Sequence, residues 1–425
     1  MALGVYISVP FCRTKCSYCN FASDVFSKSA YESYVARVIE DIGRSRDLAA
    51  ELGCELAEDV DSIYLGGGTP SILAAEQLRR IFGAAREQFQ VARNAEITVE
   101  CAPGTLTAEL IGTLAQCGVN RVSLGVQSFV DQEAQAVARL HKRSTVLEEV
   151  ARLRGAGISS INIDLIAGLP HQTNESWAYS LGETMALAAP HVSVYMLEVD
   201  EDSRLGRELM AGGTRYHAHF VPDEEATAEF YEQACAALNA AGTAQYEISN
   251  FAQAGAESQH NLKYWTRQPY IGFGVDAHSM LRPGLEKRIP RSSQRVTEEG
   301  VRPSVTEAVR VATPDSLDSY MHRTPHTVTA VSRRAAIEES FFLGLRLNRG
   351  VELARLRAEF TAEAIAPFEP AIAECERDGL IGKEGTTVRL TGRGRLLSNE
   401  VFARFLGEEV KVGTGHVNPR AIGRT

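Results

Sequence analysis

Cys12, Cys16 and Cys19 stand within eight consecutive residues of Val9-Pro10-Phe11-Cys12-Arg13-Thr14-Lys15-Cys16-Ser17-Tyr18-Cys19-Asn20-Phe21. This C-x3-C-x2-C loop follows a strand-like run, Val5 to Val9. Three thiolates on one short loop can hold three corners of a cubane iron–sulfur cluster, whereas full protein ligation takes four Cys. Asn20 and Phe21 come next, so no local residue supplies a fourth ligand. One iron is left open, and an open metal position is what chemistry needs. The competing reading is a structural zinc site or three unrelated thiols. Zinc sites normally pair two C-x2-C knuckles, but Cys54, Cys101, Cys117, Cys235 and Cys375 are scattered singly.

Composition narrows the classes. A chain of 425 residues suggests two or three domains with a sizeable core. The net charge of −10 argues against a generic nucleic-acid binder, which needs a basic surface to neutralise phosphates. Met1-Ala2-Leu3-Gly4 enters a strand pattern at once, so a signal peptide is not expected. No apolar run is long enough to span a bilayer. Eight cysteines without a dense pattern suit a reducing compartment, and a cytoplasmic location is expected.

The elements that must position the loop alternate. Strands are predicted near Val5–Val9, Ser62–Leu65, Glu96–Glu100, Arg121–Val126, Ser160–Ile166 and His191–Glu198. Helical patterns over 31–53, 74–89, 107–116, 144–155 and 175–189 separate them. Strand–helix repetition means a parallel sheet with right-handed crossovers. The predicted fold is α/β, a partial (β/α)6 TIM-like barrel followed by a small C-terminal helical, winged-helix-like domain. In such barrels the active site lies at the C-terminal ends of the strands. There stand the Cys loop, then Gly66-Gly67-Gly68-Thr69-Pro70-Ser71, Glu100, Gln127, Asp164 and Glu198. The glycine run is neither a P-loop nor a G-x-G-x-x-G fingerprint. It either lets backbone approach a ligand or simply makes a tight turn. Glu100 and Asp164 are either carboxylates satisfied by backbone or acceptors for ribose hydroxyls or an ammonium. Arg139 and His141 either pair with a carboxylate ligand, or Arg139 is simply a solvated helix residue.

Together these stretches resemble the radical S-adenosylmethionine superfamily, and within it the HemN/HemW group. The resemblance rests on Tyr6 with the Cys loop, Leu65–Ser71, Glu100, Val122–Phe129, Arg139 and Ile161–Pro170 (INIDLIAGLP), and spans roughly residues 4–405. It implies a [4Fe-4S] cluster on Cys12, Cys16 and Cys19, with S-adenosylmethionine on the fourth iron through its amino and carboxylate groups. It also implies cofactor contacts from Tyr6, Tyr18, Gly67, Gly68, Thr69, Glu100, Gln127, Arg139 and Asp164. The chemistry it implies is one-electron cleavage of the sulfonium to a 5′-deoxyadenosyl radical.

Two features choose a branch. The HemN type, an oxygen-independent coproporphyrinogen III dehydrogenase, carries an extra Cys where this chain has Phe21. His260-Asn261-Leu262-Lys263-Tyr264-Trp265 looks like the H-N-x-x-Y-W signature of HemW-type haem chaperones. The resemblance thus implies haem as cargo and recipient haemoproteins, respiratory and in some cases membrane-bound, as partners. An electron donor is implied if the cluster is reduced. His260 can ligate haem iron through a neutral imidazole, and Tyr264 and Trp265 can stack on a porphyrin. The bland alternative is a local turn with Trp265 in the core. The competing function is a radical enzyme acting on a porphyrinogen, and no catalytic residue is assigned. The chain divides into a barrel over 1–222, an extension carrying the H-N-x-x-Y-W segment over 223–282, and a linker or exposed loop over 283–329. A helical domain over 330–406 and a flexible tail over 407–425 complete it.

Overall fold

The computed structural model describes residues 1–201, 203–284 and 306–407. Six parallel strands follow one another with helices between them: β1 (Leu3–Val9), β2 (Asp59–Gly67), β3 (Gln90–Cys101), β4 (Arg121–Gln127), β5 (Ser160–Ala167) and β6 (His191–Met196). They are hydrogen-bonded side by side in that order. The strands match the sequence expectation to within a few residues, except that β3 starts six residues before Glu96.

Side-chain alternation explains why this sheet curls around a polar interior. Register places Tyr6 beside Tyr64, Tyr64 beside Thr98, Ser123 beside Asn162, and Asp164 beside Ser193. Paired residues share a face, so one face of every strand is polar. The intervening residues Val5, Ile7, Ile63, Leu65, Val99, Val122, Leu124, Ile161, Ile163 and Val194 are buried under the outer helices. Burying each such side chain contributes about 1.5–3 kcal/mol.

The sheet continues past both ends of the predicted unit. Beside β1 lies a further parallel strand, β7 (Tyr270–Phe273), and then the antiparallel strands β8 (His278–Pro283), β9 (Thr306–Ala312) and β10 (Thr327–Ser332). The predicted linker over 283–329 is corrected here. Among its described residues, 306–312 and 327–329 are strand and Leu317–Met321 is helix. Thr306–Ala312 buries Ala308, Val309 and Val311 against β8 and the helix Arg333–Gly344, which its charged residues obscure in the sequence. Residues 285–305 lie outside the described residues, as does the predicted tail from 408. On the β6 side, short strands Asn250–Ala252 and Ala244–Gln245 end the sheet. Strand order is linear, so among the described residues the barrel stays open.

The C-terminal part holds the helices Arg333–Gly344, Leu353–Phe360, Glu369–Arg377 and Ser398–Ala403 and a three-stranded antiparallel sheet. Its core does not stand apart. Phe341, Phe342, Leu353 and Phe402 cluster with Ile248, Tyr264, Trp265, Tyr270 and Met280 of the preceding segment.

Candidate cluster and cofactor site

The Cys loop leaves β1 at the C-terminal rim and is pinned at its base. Cys12 N–H donates to Asp24 O and Asp24 N–H to Pro10 O, both at 3.0 Å. Lys15 Nζ donates to Ser23 O at 2.8 Å, Thr14 Oγ1 to Ala138 O at 3.1 Å, and Leu205 N–H to Ser17 O at 2.8 Å. All three thiols are free and half-buried. Burial pushes the thiols of Cys12 and Cys19 up, Cys19 to about 11. Among the described residues no three His, Cys, Asp or Glu side chains converge tightly enough to cage one ion. A cubane attaches each thiolate to a different iron, so single-ion convergence is not what it requires.

Cys12, Cys16 and Cys19 line a cavity of about 410 Å³ together with Tyr18, Gly67, Gly68, Thr69, Glu100, Gln127, Arg139 and Asp164. Every residue expected at the cofactor except Tyr6 is therefore brought to one space. Gly67 has φ +100°, and its N–H donates to Glu100 Oε2 at 3.1 Å. A side chain at Gly68 would lie 2.7 Å from Val9 O and 2.8 Å from Phe11 O, so the third glycine of the run lets the strand end pass under the Cys loop. Thr69 Oγ1 lies 3.7 Å from Cys12 Sγ. Gln127 takes a left-handed φ of +68°, unusual for a residue with a side chain, at the mouth of β4.

The charged groups face the same space. Tyr64 OH donates to Glu100 Oε1 at 2.9 Å. Burial pushes the Glu100 carboxyl up to about 7, with Asp164 adding to the rise and Tyr64 and the Gly67 N–H opposing it. Asp164 is likewise raised by burial, against hydrogen bonds from Ser123 at 3.0 Å and Asn162 at 2.7 Å. Arg139 Nη2 donates to Tyr18 OH at 3.2 Å, while its Nε is buried without a partner. An orphaned guanidinium donor, two acceptors and three free thiols fit a cluster carrying an amino-acid chelate. His141 is not part of this set. Its Nε2 bonds Val126 O at 3.2 Å, and burial holds it neutral at about 4.

Tyr6 does not line the cavity; it backs Tyr64 with ring centroids 6.2 Å apart. Sequence reasoning missed Tyr64, Tyr195, Arg121 and Asn162, which the alternation of β2, β6, β4 and β5 puts on the polar face. It also missed the far wall, where Arg346, Asn399 and Phe402 of the C-terminal part close the cavity. Such distant partners carry no local signal.

The H-N-x-x-Y-W segment lies on the helix Gln259–Trp265, which plugs the other end of the barrel. Glu96, on the inner face of β3, accepts from the backbone N–H of Gln259 and His260, both at 3.0 Å, and from Ser258 Oγ at 3.2 Å. His260 is fully buried: Nδ1 pairs with Ser62 Oγ at 3.0 Å and Nε2 with Tyr264 OH at 2.8 Å. Burial, then Lys263 and Arg121, lower its pKa to about 3. Tyr264 and Trp265 are 4% exposed, and Arg346 lies over the Trp265 ring at 4.3 Å. The expectation that these three meet haem is not met in this arrangement, because both imidazole nitrogens are engaged and both rings are core. His260→Ala leaves Ser62 and Tyr264 hydroxyls unpartnered around a void. It is expected to destabilise the chain by about 2–4 kcal/mol, read from the denaturant midpoint.

Comparison with known proteins agrees with this geometry. Residues 6–181 match the Radical SAM superfamily and residues 331–397 the HemN C-terminal domain. The Heme chaperone HemW of Bacillus subtilis (strain 168) is 34% identical over 406 residues, covering 95% of this chain and 99% of that one. The chain belongs to the HemW family of the radical SAM superfamily. The Heme chaperone HemW of Lactococcus lactis subsp. lactis (strain IL1403) is 31% identical over 96% of this chain and 98% of its own. The structure of coproporphyrinogen III oxidase (HemN) from Escherichia coli shares the fold, with a TM-score of 0.76 at 21% identity over 95% of this chain and 90% of that one. Superfamily membership implies a [4Fe-4S] cluster and S-adenosylmethionine. Among the described residues no helix is long and apolar enough to cross a membrane.

Proposed function

We propose that this protein is a haem chaperone of the HemW type, working in the cytoplasm and delivering haem to recipient haemoproteins. The observation that carries the reading is relatedness to named haem chaperones along 95% of the chain, not only its barrel. Respiratory and membrane-bound recipients, and an electron donor for the cluster, remain part of the proposal. Phe21, standing where the HemN type has a further Cys, favours it over the coproporphyrinogen dehydrogenase reading.

In this reading Cys12, Cys16 and Cys19 hold the cluster, which when bound supplies single-electron chemistry to a sulfonium. Gly67 and Gly68 let backbone come close to the cofactor. Thr69 and Gln127 offer polar contacts, and Arg139 with Tyr18 receives a carboxylate. Glu100 and Asp164 accept hydrogen bonds from hydroxyls or an ammonium. Tyr6 braces this arrangement through Tyr64. The C-terminal wall with Phe402 excludes water.

Anaerobically reconstituted protein is expected to take up ferric haem with a new Soret band and to pass it to an apo-haemoprotein. Failure to bind haem, together with 5′-deoxyadenosine release coupled to oxidation of coproporphyrinogen III, would replace this reading with the dehydrogenase.

A further inference from the structure

The Gly-Leu-Pro turn after β5 ends in His171, and a distant segment, Arg215-Tyr216-His217-Ala218-His219-Phe220, folds against it. His171 N–H donates to Phe220 O at 3.0 Å. His171 Nε2 and His217 Nδ1 are 3.2 Å apart, and both residues hold left-handed φ angles, +68° and +60°. Phe220 packs against two imidazoles, its centroid 4.2 Å from His171 and 4.4 Å from His219. Glu208 fixes the segment by accepting from Tyr216 N–H at 2.8 Å and Ala218 N–H at 3.2 Å.

This cluster is unlike the buried histidines of the core. His171 and His217 are half-buried and His219 is exposed. Among the described residues His171 Nδ1 and His217 Nε2 have no hydrogen-bond partner. Phe220 is 49% exposed, and the helix Arg204–Ala211, packed on the segment, exposes Leu209 at 53% and Met210 at 70% alongside the charged Arg207. Arg215 is exposed at the segment's start. Left-handed non-glycine residues held in place by their surroundings concentrate at ligand sites.

We propose that this surface is where haem binds, with His217 Nε2 as the iron ligand and His171 as the residue that orients it. The inference rests on the haem-chaperone reading and gives that reading a location other than His260. A ligating imidazole that donates its second N–H to a fixed acceptor has its tautomer and ring orientation set, and the proposed site uses the tautomer in which His217 Nδ1–H donates to His171 Nε2 across their 3.2 Å contact. Burial first, and the proximity of His217 and His219, lower the pKa of His171, which favours its neutral ring. Two nitrogens 3.2 Å apart cannot be axial ligands on opposite faces of one haem, so the second imidazole supports rather than ligates. A bare cation would have no use for Phe220, Leu209 and Met210, whereas a porphyrin covers such a patch and places its propionates toward a cation such as Arg215. A site open to solvent also suits cargo that must leave.

The test is anaerobic titration of the cluster-loaded full chain with ferric haem, read by Soret absorption and by EPR of the haem iron. His217→Ala is expected to weaken binding at least tenfold and to lose the wild-type ligand signature, and added imidazole should restore it. His171→Ala and Phe220→Ser should weaken binding several-fold. His322→Ala, whose side chain is 75% exposed elsewhere, should match wild type. Wild-type affinity and spectrum in both His217→Ala and Phe220→Ser would overturn this site while leaving the chaperone reading intact. Tight zinc uptake by wild type that His217→Ala abolishes, with haem binding unaffected by the same change, would also overturn it. No haem uptake by wild type would instead remove the reading beneath it.

Discussion

Cys16→Ser in anaerobically reconstituted protein is expected to bring iron and sulfide from about four of each per chain to near zero. Cys12→Ser and Cys19→Ser should do the same, because the other thiol in the cavity lining, Cys101, is 3% exposed and pushed far up by burial. The fold should persist. None of the three thiols belongs to the apolar cores, and the loop is held by backbone bonds such as Cys12 N–H to Asp24 O. Cys235→Ser, on the helix Glu224–Ala240, should keep full iron content. Metal analysis alongside circular dichroism checks this, and full iron in the three loop variants would assign the cluster elsewhere.

The second large effect concerns Glu100. Its ordinary pKa is 4.5, and burial lifts it to about 7. Only the ionised form attracts a cationic ligand, so part of the protein is in the wrong protonation state near neutrality. Between pH 6 and pH 8 the ionised fraction, and with it the affinity for S-adenosylmethionine, should rise about tenfold. The sign for folding is the opposite: a carboxyl raised on folding costs stability as pH climbs from 4.5 through 7, and bound cation relieves that cost. Glu100→Gln should lower affinity about 10- to 100-fold at pH 8 and flatten this component of the profile. The cofactor's own amino group titrates alike in both proteins, so the difference between their profiles isolates Glu100. Parallel profiles in equilibrium binding would remove Glu100 from the site.

Much of this was legible in the sequence, for local reasons. The Cys loop is legible because three thiols in eight residues is a pattern that packing alone does not generate. The six parallel strands are legible because β-branched runs alternate with helical periods. The inner face was harder. INIDLI reads as a nearly continuous apolar strand, yet Asn162 and Asp164 are its inward residues, and the same alternation hides Tyr64 and Tyr195. Strand β9 was lost in a polar stretch because its support comes from β8 and from the helix Arg333–Gly344, both remote in sequence. His260 shows the reverse error. A motif suggested a ligand, but Ser62, Glu96 and Tyr264 convert it into a packed plug, and nothing local to the motif reports those contacts. The His171–His217 pair joins residues 46 apart, which no periodicity can announce.

The central claim is that a three-thiolate cluster and S-adenosylmethionine share one cavity at the barrel rim. EPR of the reduced, reconstituted protein before and after adding S-adenosylmethionine tests it most directly. The account predicts an iron–sulfur signal that changes on addition, as the open iron gains amino and carboxylate ligands. An iron–sulfur signal left identical at saturating cofactor, or protein that accepts zinc but no iron and sulfide, would contradict it.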